Sequence, residues 1–231
     1  MTGPVIPPVA WSTILPTLKT GDLLSFEGVD ALDFAIQFVE QQPYTHVGMV
    51  LRPTPDQLWF WDAPGGGTLF PDPVSGNPAQ TGARVAALSS IVPYYTAPAS
   101  SGGGGEVAMW VRQLKVPLTT VQENALMTYV GLADGIPFPT GKLPVSPRWN
   151  LGFGFGESWM LGREFNATVA GSLFCAQLVA QSYMAAGLLP LYPKPANAYD
   201  PAMLMSQDPA VLPLIGNALT PPVGVQLPVT G

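Results

Sequence analysis

The chain carries one histidine, His46, and one cysteine, Cys175. A thiol and an imidazole are the nucleophile and base of covalent acyl transfer, in which the thiolate attacks a carbonyl carbon and the imidazole moves the proton to the leaving group. Singly, neither residue is a signal. A lone cysteine is most often a small buried hydrophobe, and a lone histidine on an apolar strand is most often structural. The order and surroundings of the two together are what point to chemistry.

His46 stands before Val47-Gly48-Met49-Val50-Leu51, a β-branched and apolar run that predicts a buried strand. Cys175 stands before Leu178, Val179, Ser182 and Tyr183 at helical spacing, with Gly187 closing the run. The thiol is therefore expected at a helix N-terminus. The unpaired amides and the positive end of the helix dipole favour a thiolate there, and a neighbouring histidine would accept its proton.

A carboxylate follows from the strand pattern. His46 to Arg52 and Gln57 to Asp62 read as two strands separated by Pro53-Thr54-Pro55-Asp56, a hairpin turn. Antiparallel pairing brings the start of the first to the end of the second, so Asp62 and His46 share one end of the hairpin and the carboxylate can fix the imidazole tautomer. A one-residue slip of register would turn either side chain away, and Asp62 equally suits a turn-initiating aspartate before Pro64 and Gly65. The glycine-rich stretch Ala63 to Gly82 is a substrate wall or a solvated linker. Gly65, Gly66 and Tyr44 are the substrate-binding or oxyanion candidates, Tyr44 being otherwise an aromatic core residue.

These residues resemble a family. Leu18-Lys19-Thr20-Gly21-Asp22-Leu23-Leu24-Ser25-Phe26, then Tyr44 to Val50, then Phe174-Cys175-Ala176-Gln177-Leu178-Val179 are similar to the circularly permuted papain-like hydrolases, the YiiX-type branch of the NlpC superfamily. Leu58 to Ala63, Gly135 to Phe138 and Tyr199 to Leu204 match further landmarks, so the likeness covers residues 18 to 206 in short islands. It implies a cysteine hydrolase in which the histidine precedes the cysteine; no cofactor or metal is expected. Amides of peptides or cell-wall peptides are the implied substrates, and the related lecithin retinol acyltransferase group adds lipid acyl esters. The family usually has Ser-Glu after the cysteine and glutamate at the third polar position; here stand Ala176-Gln177 and Asp62.

Composition narrows the classes. Charged residues make up 10% of the 231, against roughly 25% in average soluble proteins, while 27 prolines and 25 glycines demand long loops. The net charge is -6 and no Lys/Arg cluster appears in the sequence, which excludes nucleic acid as an expected partner. One histidine and one cysteine cannot make a three-His or four-Cys zinc site. Gly135 to Lys142 fails the phosphate-loop spacing, and no Gly-x-Ser-x-Gly elbow occurs. The uncharged stretches Phe165 to Pro193 and Pro209 to Gly231 carry too many polar residues or prolines for a membrane span. The start lacks a secretory pattern, so the default expectation is cytoplasmic, with any export independent of such a signal. No feature assigns an oligomeric state.

The expected architecture is an α+β, permuted papain-like domain over residues 18–206, an antiparallel sheet packed against the cysteine helix. Residues 1–17 read as an extended arm and 207–231 as a proline-rich tail. Further strands are expected at Leu23 to Phe26, Val85 to Leu88 and Val107 to Leu114. Helices are expected at Ala31 to Val39 and at Leu118 to Ala133, the latter capped by Thr119 or Thr120. The expected activity is acyl transfer to Cys175 with His46 as base and acid and Asp62 as orienter, acting on a peptide or lipid acyl substrate. The low charge density lends the lipid reading, with peripheral membrane contact, its own support. The non-enzymatic alternative is a papain-like binding module with an inert thiol.

Overall fold

Alternation along the strands sorts side chains onto two faces of one sheet. The computed structural model describes residues 7–28, 42–65, 70–73, 81–97, 108–138 and 173–226. Within them β1 (Val9–Ala10), β2 (Leu23–Glu27), β3 (His46–Thr54), β4 (Gln57–Asp62), β5 (Arg84–Ala87), β6 (Ala108–Arg112) and β7 (Val223–Gln226) line up in the order β1-β7-β6-β2-β3-β4-β5. Every pairing is antiparallel except that of β1 with β7. The described helices are α1 (Trp11–Ile14), α2 (Leu88–Thr96), α3 (Thr120–Ala133), α4 (Cys175–Ala185) and α5 (Pro201–Leu204).

One face of the sheet presents Val47, Met49, Leu51, Trp61 and Val85 to Leu178, Val179 and Tyr183 of α4 and to Leu126 and Val130 of α3. The other presents Leu24, Phe26, Val50, Phe60 and Ala86 to Leu88, Ile91, Val92 and Tyr95 of α2. The result is the expected α+β arrangement, an antiparallel sheet packed on the cysteine helix, with a second helix layer behind it. Each fully buried Leu or Val of these cores contributes about 1.5–3 kcal/mol.

Helix α4 is fixed by polar contacts as well as packing. Trp61 Nε1 donates to Ser182 Oγ at 3.0 Å, Ser182 Oγ donates back to Leu178 O at 2.8 Å, and Tyr183 Oη donates to Gly21 O at 2.7 Å. The sheet thereby holds the helix, and with it the position of Cys175.

Several elements differ from the sequence reading. The hairpin turn tightens to Pro55 and Asp56, because β3 runs on to Thr54 through a register shift between Leu51 and Thr54. Pro53 lacks the N–H that a regular ladder needs, which suits that irregularity. The described part of the arm is not extended throughout: after β1 it coils into α1 and a 3-10 turn, and Trp11, Ile14 and Leu15 pack on the core. Residues beyond 206 join the sheet as β7, with Leu212 and Leu219 buried. Helix α2 is an addition where no helix was expected. Helix α3 starts one residue after its cap, Thr119, which forms a capping box with Gln122. The helix expected at 31–39 lies outside the described residues. Among the described residues no helix is long and apolar enough to cross a membrane.

Candidate active site

The register of β3 and β4 decides whether His46 and Asp62 meet. Met49 pairs with Trp61 and Val50 with Phe60, so Asp62 falls opposite Gly48 and lies diagonally from His46 on the same face. His46 Nε2 is 3.0 Å from Asp62 Oδ2. The histidine backbone is clamped from β2, where Ser25 Oγ donates to His46 O at 2.8 Å and Thr45 N donates to Phe26 O at 3.0 Å. The ring sits among Phe26, Phe60 and Tyr95, at centroid distances of 6.3, 6.4 and 5.2 Å. Gly48 makes this cluster fit: a Cβ there would stand 2.3 Å from Phe60 Cζ.

Two residues that sequence reasoning missed complete the carboxylate's surroundings. Arg84 pairs directly across from Asp62 on β5, and its Nε donates to Asp62 Oδ1 at 3.0 Å. Tyr95 Oη, from α2, donates to Asp62 Oδ2 at 2.6 Å and lies 3.2 Å from His46 Nε2. Arg84 Nη2 also donates to Tyr95 Oη at 3.3 Å, and the Phe70 ring covers the guanidinium at 5.6 Å. Arg84 was findable, since a lone cation opening the apolar run Val85-Ala86-Ala87 in so uncharged a chain needs an anion. Tyr95 was hidden by the helix that carries it.

Electrostatics follow from burial and partners. Asp62 is 0% exposed and Arg84 2%; burial alone would push the Asp62 carboxyl up, but Arg84 and the imidazole together hold it below its ordinary value. Burial likewise works against a charged His46. Hydrogen bonding to Asp62 and to Cys175, with the charges of both, outweighs it and pushes the imidazole up to about 10. Nε2 faces Asp62 and Tyr95.

Cys175 is the first residue of α4 and is partly exposed. The first helical donor to a backbone carbonyl is Leu178 N, to Phe174 O at 2.9 Å, so the amides of Cys175, Ala176 and Gln177 point forward from the helix end. Gln177 is buried, and its Oε1 has no hydrogen-bond partner among the described residues. The arrangement unites a helix-end thiol, an imidazole and a buried carboxylate. The other candidates fall elsewhere. Tyr44 packs edge-on against Trp110 at 5.1 Å, and burial raises its pKa. Gly65 is exposed, with its Cα facing the Phe138 ring, and Gly66 lies outside the described residues. Among the described residues no group of three or more His, Cys, Asp or Glu is placed to hold a metal ion.

No protein-family model matches the chain, and no curated protein matches it. Among solved structures, the chain is similar to the crystal structure of the metalloprotein YiiX from Escherichia coli O157:H7, with 17% sequence identity and a TM-score of 0.43. The match covers 73% of this chain and 66% of that one, so it spans just under two thirds of the neighbour's length.

Proposed function

We propose that the chain is a cysteine-dependent hydrolase. The observation that carries this reading is an imidazole bound to a buried carboxylate, 3.0 Å from Nε2 to Oδ2, with a thiol at the first position of a helix among the groups that raise its pKa. The thiolate of Cys175 attacks the substrate carbonyl carbon, forming a C–S bond and an oxyanion. The Cys175 backbone amide donates to that oxyanion, a type of contact whose loss costs about 2.7–4 kcal/mol in other enzymes. The His46 imidazolium gives its proton to the leaving nitrogen or oxygen as that bond breaks. Neutral His46 then takes a proton from water, the resulting hydroxide attacks the thioester, and the acid and the thiol are released. Asp62 holds the ring and steadies its charge, as the carboxylate does in other triads.

By the resemblance, amide bonds of peptides or cell-wall peptides are the substrate. A second reading, a lipid acyl-ester hydrolase or acyltransferase, draws on exposed apolar side chains. Leu191 is 74% exposed, Tyr192 85%, and Ile215 and Val116 more than half; hydrogen bonds from Ile215 N to Leu188 O and between Val116 and Asn217 join their loops. The test is turnover of peptide and lipid acyl panels by the wild type and Cys175→Ala. Loss of turnover in a folded Cys175→Ala protein supports the hydrolase. Equal turnover by the two proteins, or a thiol inert to iodoacetamide with no turnover on either panel, rejects it and leaves a binding module.

A further inference from the structure

Cations are scarce in this acidic chain, and their placement is uneven. Of the described Lys and Arg residues, Arg84 is buried on Asp62 and Arg112 is buried on the carbonyls of Leu204, Ser206 and Thr220. The others are Lys19, Arg52, Lys115 and Lys194. Three of these, Lys19, Arg52 and Lys115, line a single cleft of about 610 Å³ together with Thr17, Gln113 and Thr220.

The cleft lies at the end of the sheet opposite the thiol. His46 begins β3 and Arg52 lies six residues further along it, roughly 20 Å at about 3.3 Å per residue. Lys19 precedes β2 and Lys115 follows β6 at the same end, since Leu23 pairs with both Met49 and Arg112. This cleft is therefore separate from the candidate active site.

Its donors are organised. Arg52 Nη1 donates to Pro16 O and Leu18 O, and Nη2 to Pro55 O. Three of the five guanidinium N–H groups are used, which fixes the side chain and leaves Nε–H and one Nη2–H. No ion pair among the described residues engages Lys19, Arg52 or Lys115. The nearby acid is Asp22, 1% exposed, whose oxygens accept from Lys19 N, Gln113 Nε2 and Leu114 N. Burial raises the Asp22 pKa, against hydrogen bonds from Gln113, Leu114 and Lys19 and the Lys19 charge, which lower it. Asp56, in the adjoining turn, faces a different cavity.

We infer that this cleft binds a phosphate-class anion, with Lys19 and Lys115 supplying charge and Arg52 a pre-positioned donor pair. Such a group arrives either as a soluble phosphate or as the phosphate monoester headgroup of a lipid. The inference goes beyond the hydrolase reading and stands without it.

The experiment uses the full chain and two probes: inorganic phosphate by calorimetric titration, and phosphatidylcholine vesicles with or without phosphatidic acid by co-sedimentation. The wild type binds inorganic phosphate, or vesicles that contain phosphatidic acid in preference to pure phosphatidylcholine, and the preferred probe identifies the source. In Lys19→Ala/Lys115→Ala, a surface change that preserves the melting temperature, the affinity falls about thirtyfold, taking about 1 kcal/mol per lysine near an anionic group. Arg52→Lys keeps the charge but loses the paired donors, and weakens binding without abolishing it. Failure of the wild type to bind either probe, or undiminished binding by the double lysine variant, overturns the inference.

Discussion

Three groups converge on one carboxylate, and that governs what substitutions at Asp62 will do. Asp62→Asn removes the charge facing His46, so turnover should fall more than substrate affinity. It also strands Arg84, which is 2% exposed, and breaking one side of a buried ion pair costs about 3–5 kcal/mol. The variant should therefore melt earlier as well as work more slowly. Asp62→Asn combined with Arg84→Met should lose less stability than the two single losses summed, because the stranded charge is gone; additive losses in urea denaturation would deny the pairing. The pH dependence has two limbs. His46 titrates near 10 in the folded chain against an ordinary 6.5, so its contribution to stability is complete below pH 6.5 and is lost as pH rises through about 10. Asp62 titrates below its ordinary 3.8, so its contribution is present above 3.8 and is lost as pH falls through the folded value. The stability difference between wild type and His46→Gln should shrink from pH 6.5 to about 10. Taking the difference removes Asp134, whose pKa is raised to about 6 by burial and by Asp72. At this scale the histidine, cysteine and aspartate were legible from type and spacing, whereas Arg84 and Tyr95 needed the third strand and the second helix layer to bring them in.

The β-branched, apolar run after His46 and the turn residues that follow it made β3 and β4 readable, and spacing at positions 178, 179, 182 and 183 made α4 readable. Helix α2 escaped because Pro93 sits inside it, and an internal proline argues against a helix on local grounds. Packing of Leu88, Ile91, Val92 and Tyr95 onto the sheet overrides that cost. The tightness of the histidine strand is testable at its glycine. Gly48→Ala puts a Cβ into the Phe60 ring, so it should destabilise the chain by about 1–3 kcal/mol and lower turnover through the displaced His46 cluster. Gly131→Ala on α3 has nothing within 4 Å and should instead stabilise by about 0.4–1 kcal/mol. Thermal melts of the pair check both signs; a neutral Gly48→Ala would show that Phe60 has room to move.

For the molecule as a whole, proline content misled about the C-terminal segment. Prolines bar a spanning helix from residues 209 to 231, yet four residues between them pair with β6 and β1 as β7. The same segment supplies Thr220 O to the buried Arg112 guanidinium and the Leu212 and Leu219 side chains to the core. Truncation after residue 206 should consequently leave Arg112 short of an acceptor and open the core, giving a chain that loses cooperative unfolding or melts well below the full length. A truncated chain with an unchanged melting temperature would show the segment to be an appendage.

The central claim is that the thiol and the imidazole form one unit, and the chain's composition makes it directly measurable. With a single histidine, one imidazole resonance reports the titration of His46 without assignment. Followed by NMR across pH, it should titrate far above 6.5, near 10, in the wild type. In Cys175→Ala its midpoint should move down, because hydrogen bonding to Cys175 and the charge of that residue are among the causes of the rise. A midpoint near 6.5, or one that Cys175→Ala leaves unmoved, would contradict the pairing and with it the hydrolase.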